Sequence, residues 1–160
     1  MNRQANSQPG EGQARTTKKL FSRETSVRTT IFADPAIVWA LLTHAADIPR
    51  WNSTVRSITG EIKDGGSIEL KSTLDEKRTF KLKVKEFVPE KRLIWGDAMG
   101  TRVYTLDKRD GNSTLFTMTE TIGGLLFPLF AGMIPSFDES FEGFAADLKK
   151  EAETIQPARK

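Results

Sequence analysis

Apolar and polar positions alternate through the middle of the chain and switch to a helical period near its end. Phe80, Leu82 and Val84 alternate with Lys81, Lys83 and Lys85, and Ile68 and Leu70 alternate with Glu69 and Lys71. A period of two sends successive side chains to opposite sides of a strand, so each such run has one apolar and one solvated face. The pattern predicts strands over residues 25–32, 55–61, 67–73, 78–88, 92–97, 101–106 and 113–122. Between them stand Asp64-Gly65-Gly66, Asp75-Glu76, Pro89-Glu90 and Asp110-Gly111-Asn112, all residues that favour tight turns. These connections are too short for parallel crossovers, which predicts an antiparallel meander of about seven strands.

The switch in period comes after Gly123-Gly124. Leu126, Phe130, Met133, Phe137, Phe141, Phe144 and Leu148 recur at helical spacing, with Asp138, Glu139, Glu142, Lys149 and Lys150 mostly on other sides. A helix over 125–153 would be about 42 Å long, and its aromatic side needs a broad apolar sheet to lie on. Pro135 removes an amide from the helix ladder and Gly132 lowers helix propensity, so the rod is expected to break between Ala131 and Ser136. Phe137 and Phe141, near that break, are expected to line a void, and Phe144 and Leu148 to anchor the closed end. Asp34-Pro35 is a helix-start signal for 35–43, burying Ile37, Val38, Leu41 and Leu42, followed by a helical turn around 48–51. The expected class is α+β: a curved antiparallel sheet around a long C-terminal helix, with two short helices after the first strand.

Composition narrows the chemistry. The 160 residues contain no cysteine and one histidine, which excludes a disulfide framework and thiolate zinc sites, so neither metal nor cofactor is expected. Residues 1–22 are polar with almost nothing to bury and are expected to form a disordered tail; 23–155 form the domain and 156–160 a second tail. The net charge of +3 owes much to Arg3, Arg15, Lys18, Lys19, Arg23 and Arg28, weak evidence for an anionic partner. The apolar run 122–134 is too short to span a bilayer, and residues 1–20 lack the apolar segment of a secretory signal. The reading is a soluble cytoplasmic protein, not an integral membrane one, existing as a monomer or weak dimer.

The segment Asp34-Pro35-Ala36-Ile37-Val38-Trp39-Ala40-Leu41-Leu42, followed by Ile48-Pro49-Arg50-Trp51-Asn52 and Val55, resembles the opening of the polyketide cyclase/dehydrase and lipid-transport family. That family lies within the START-like (Bet v 1-like, SRPBCC) helix-grip superfamily. Pro89-Glu90-Lys91-Arg92-Leu93-Ile94-Trp95, Gly111-Asn112-Ser113-Thr114 and Leu148-Lys149-Lys150-Glu151 extend the resemblance from about Val27 to Glu153. It implies a sheet gripping the C-terminal helix around a cavity for an apolar ligand. Family members serve as carriers, receptors, cyclases or regulatory partners, so the fold alone does not choose among these.

The expected ligand-binding set is Trp51, Phe80, Leu82, Trp95, Tyr104, Phe116, Met118, Glu120, Met133, Phe137 and Phe141. Glu120 is the one catalytic candidate. It shares strand parity with Phe116 and Met118, and a carboxyl facing an apolar cavity can donate a proton or anchor a ligand. Against this, it can lie at the strand's wet end or pair with Arg102. Arg102 and Tyr104 share a parity whose direction the alternation leaves open. Trp51 reads as part of an entrance or as a packing residue, and His44 as a general base or as a side chain at a helix end. Lys81, Lys83 and Lys85 lack interleaved aromatics, so no nucleic-acid partner is expected. Three functions remain: a carrier or sensor of a small hydrophobic ligand, lipid or polyketide-like; a cyclase or dehydratase using Glu120; and a regulatory module docking a protein partner.

Overall fold

The computed structural model describes residues 10–157. An eight-stranded antiparallel sheet runs in the order β1-β2-β8-β7-β6-β5-β4-β3. Its strands are β1 (Arg15–Lys18), β2 (Ser22–Ile31), β3 (Val55–Gly60), β4 (Ser67–Ser72), β5 (Asp75–Val88), β6 (Arg92–Gly96), β7 (Gly100–Arg109) and β8 (Ser113–Gly123). Consecutive strands pair from β3 to β8, as short turns require, and β2 closes the arrangement by pairing with β8. Gly111 and Asn112 both take positive φ, 68° and 55°, the backbone of a tight hairpin between β7 and β8.

Two short helices, α1 (Pro35–Thr43) and α2 (Ile48–Trp51), follow β2 and are joined by a 3-10 turn at Ala45–Asp47. Asp34 caps α1 by accepting from the Ala36 amide at 2.9 Å. The long α4 (Asp138–Ile155) buries Phe141, Phe144, Ala145, Leu148 and Ala152 against the sheet. Their spacing of three and four keeps one stripe inward.

Three expectations change. The tail predicted to be disordered through Ser22 is structured from Gly10 onward; its first nine residues lie outside the described ones. Strand β1 has no apolar alternation because it is an edge, held by backbone pairing to β2 and by Thr16, which bonds Thr25 at 2.9 Å and donates to Asp138. This raises the strand number to eight. The β4–β5 turn falls at Thr73-Leu74, so Asp75-Glu76 opens β5 instead of turning. The predicted rod divides as its proline and glycine require: α3 (Phe127–Phe130), a 3-10 turn at Ala131–Met133, extended backbone at Ile134, then α4.

Candidate functional site

Between the sheet and α4 lies a cavity of about 10 Å³, room for about one water molecule. Its walls come from α1 and α2 (Leu42, Ile48), β3 and β4 (Val55, Ile58, Leu70), β6 and β7 (Trp95, Arg102, Tyr104) and α4 (Phe144). Eight of these nine are apolar or aromatic, which leaves Arg102 as the single charged group on the wall.

Cross-strand register fixes where Arg102 and Tyr104 point. Arg102 pairs with Glu120, Tyr104 with Met118 and Leu106 with Phe116, so all six share the face that carries the core. Tyr104 is 1% exposed and packs edge-on against Trp95 with centroids 5.1 Å apart. Arg102 donates from Nη2 to Glu120 Oε2 at 2.9 Å, and both side chains are about one-fifth exposed. Its guanidinium lies 5.0 Å above the Phe141 ring. Phe141 stacks on Phe137 at 6.0 Å, and the Arg23 guanidinium lies 4.7 Å over the Phe137 ring. Each of the two stacked rings thus carries a guanidinium over its face, a contact favoured by the ring quadrupole.

Burial disfavours the charged form of Arg102, but the Glu120 carboxylate and the Tyr104 oxygen outweigh it and move its pKa further up. Burial pushes the Tyr104 hydroxyl up as well, only partly opposed by the charge and hydrogen bond of Arg102, so the phenol stays protonated at neutral pH. The site therefore offers a fixed cation and a neutral donor. Two buried donors, Arg102 Nε and Trp51 Nε1, find no acceptor among the described residues.

The remaining expected residues separate into groups. Trp95 and Tyr104 line the cavity. Trp51 is buried beside it, edge-on to Phe144 at 6.0 Å. Phe116, Met118 and Phe141 are buried in the core, while Phe80 and Leu82 only flank it, with Arg78 4.7 Å over the Phe80 ring. Phe137 is half-buried at the start of α4. Met133 is corrected outright: it is 80% exposed, because the chain leaves the helix path before Pro135 and turns this residue to the outside. The expected division between Phe141 and Phe144 is reversed, since Phe141 is packed and Phe144 borders the void. His44 is exposed at the end of α1, where its amide donates to the Ala40 carbonyl at 3.2 Å.

Leu42, Ile48, Val55, Ile58 and Leu70 were missed as lining residues. Their apolar character was visible, but a bulge between Val55 and Ser57 breaks the alternation of β3 and puts two residues three apart on one face.

An open antiparallel sheet packed on a long C-terminal helix defines the helix-grip fold. The model of the family described as polyketide cyclase/dehydrase and lipid transport matches residues 22–153, and the chain belongs to that family. Among solved structures it is similar to a conserved protein of unknown function from Enterococcus faecalis, with TM-score 0.65 and 16% identity over 91% of this chain and 80% of that one. A START superfamily protein from Mycobacterium smegmatis gives 0.61 and 14%, over 83% and 99%. A protein in the dynemicin biosynthetic locus gives 0.61 and 18%, over 86% of this chain and 49% of that one. At these identities the likeness is one of fold. No curated protein matches. Among the described residues no helix is long and apolar enough to cross a membrane. The family's description places the chain among proteins of the polyketide cyclase/dehydrase and lipid-transport class.

Proposed function

We infer that this chain is a cytoplasmic carrier or sensor for a small, largely apolar ligand bearing an acceptor oxygen, held between the sheet and α4. The observation that carries this reading is Arg102: a guanidinium at an otherwise apolar wall, fixed by Glu120 and Phe141, with a buried Nε lacking an acceptor among the described residues. A carbonyl, carboxylate or phenolate oxygen would satisfy that donor, with Tyr104 as the neighbouring neutral group. Because ligand sites usually enclose roughly 300–1,000 Å³, a cavity of about 10 Å³ has to expand on binding. The C-terminal half of α4 is ill suited to move. Its Asp147 accepts from Ser53, Glu151 pairs with Arg50, Lys149 reaches the Thr30 carbonyl and Glu153 accepts from the Phe32 amide. The first turns of α4 are tied instead to the edge strand and the residue preceding it, by Thr16 to Asp138 and by the Ala14 amide to Glu142, so expansion is assigned to this end.

The linked Glu120, Arg102 and Tyr104 also favour a second reading, a cyclase or dehydratase. With Glu120 engaged by Arg102, the proton donor to a substrate carbonyl would be Tyr104 instead of the carboxyl. Native mass spectrometry of the protein as purified tests the binding reading. The expected result is a small-molecule adduct that Arg102→Met loses; bare protein under every expression condition overturns it.

A further inference from the structure

The stretch between β8 and α4 is built against the usual rule for an apolar segment. None of residues 121–137 is charged, and large apolar side chains fill it, yet four of them, Leu125, Leu126, Leu129 and Met133, are exposed. Leu125 is 87% exposed, Leu126 66%, Leu129 80% and Met133 80%; Phe127 is buried, and Ile122, Phe130, Ile134 and Phe137 are half-buried. The segment is not a trailing loop. Gly124 donates to the Phe21 carbonyl and Gly123 to the Met99 carbonyl, both at 3.0 Å, and Arg23 holds the far end through the carbonyls of Ile134 and Pro135 at 3.2 and 2.8 Å.

These ties bring other exposed apolar residues alongside. Leu20 is 71% exposed and Phe21 49%, at the turn between β1 and β2, and Met99 is 38% exposed at the turn between β6 and β7. Leaving such a cluster in water forfeits the burial energy of several large side chains, so a contiguous patch of this kind marks an interaction surface. Its border says with what. The exposed Lys18 and Lys19 immediately precede Leu20 and Phe21. The acidic side chain nearest in sequence to Met99, Asp97, is engaged with the Met99 and Gly100 amides. Apolar residues on a projecting segment, edged by lysines, match a bilayer with anionic headgroups: the side chains enter the acyl boundary and the lysines stay at the phosphates.

We propose that the segment 124–134, together with Leu20, Phe21 and the flanking Lys18 and Lys19, is a docking surface for anionic membranes. The contact is peripheral. It places the start of α4, where the ligand cavity has to open, against the source of apolar molecules, although the docking itself requires no ligand.

The test uses the full chain and vesicles of phosphatidylcholine with and without phosphatidylglycerol. Sedimentation with the anionic vesicles is expected, falling with salt. The triple variant Leu125→Ser, Leu129→Ser, Met133→Ser should weaken binding at least about tenfold, and Lys18→Glu with Lys19→Glu should weaken it about fivefold per lysine. All five positions lie on the surface, and an unchanged melting temperature verifies the fold. Because the chain has no cysteine, Leu129→Cys accepts a single environment-sensitive fluorophore, whose emission should shift to the blue on anionic vesicles. The same label at Lys81→Cys should not shift. Three outcomes overturn the proposal: no sedimentation with either vesicle, sedimentation unchanged by both sets of substitutions, or a concentration-dependent dimer that the triple serine variant converts to monomer. Loss of a ligand adduct with vesicle binding intact counts against the binding function alone.

Discussion

Helix α4 and the segment before it are both rich in large apolar residues, and a single helical period can be drawn through the two. In α4, Phe141 and Leu148 are 1% and 0% exposed; before the break, Leu129 and Met133 are each 80% exposed. The difference lies in the backbone. Pro135 and the extended Ile134 end the register, and Gly124, with φ 144°, turns the chain away from the line of β8. Apolar character alone therefore does not determine burial; an uninterrupted ladder that keeps one stripe on the sheet does. The region that remains outside is free to act on a partner, and the region held inside supplies stability.

Core truncation should divide the two regions most sharply. Phe141→Ala removes a packed ring under Arg102 and should cost about 3–5 kcal/mol in denaturant unfolding. Met133→Ser should stay within about 0.5 kcal/mol of the parent. Equal losses would mean that the segment is folded into the core in solution.

A smaller effect is expected at the clamp joining the regions. Arg23→Met keeps most of the aliphatic stem but releases the Ile134 and Pro135 carbonyls, at a cost of about 1–3 kcal/mol. Amide exchange should accelerate across residues 129–136 and stay slow in α4. Uniform acceleration would contradict a local role.

The smallest effect is pH-dependent and confined to α4. Burial raises the Glu153 pKa, but Lys149 and the Phe32 amide outweigh it, leaving it below its ordinary 4.5. A carboxylate with a depressed folded-state pKa contributes stability that is fully present above the unfolded value and is lost as pH falls through the folded one. The melting temperature of the parent should therefore drop more steeply than that of Glu153→Gln as pH falls below about 4.5, with the segment 124–137 unaffected.

How much of this was legible follows from the same physics. Strands β4 to β8 announced themselves through alternation and, except at Asp75-Glu76, through their turn residues, and the proline announced the break in the rod. Strand β1 did not, because Arg15-Thr16-Thr17-Lys18 buries no apolar face and pairs through its backbone. The direction of Arg102 and Tyr104 was undecidable from β7 alone, and the register against Glu120 and Met118 settled it. Of the cavity walls, Trp95 and Tyr104 were legible, and Leu42, Ile48, Val55, Ile58 and Leu70 escaped because a bulge in β3 and the packing of α1 and α2 are properties of the assembled chain. Met133 was misplaced because a helical period was extended through the break.

Titration with 1-anilinonaphthalene-8-sulfonate, an aromatic probe carrying an anionic acceptor, tests the central claim most directly. Binding between sheet and helix predicts one saturable site that Arg102→Met weakens at least about tenfold and the triple serine variant of Leu125, Leu129 and Met133 leaves intact. Fluorescence that vanishes in the serine variant and persists in Arg102→Met would show that the probe merely coats the outer patch, and would contradict the internal site.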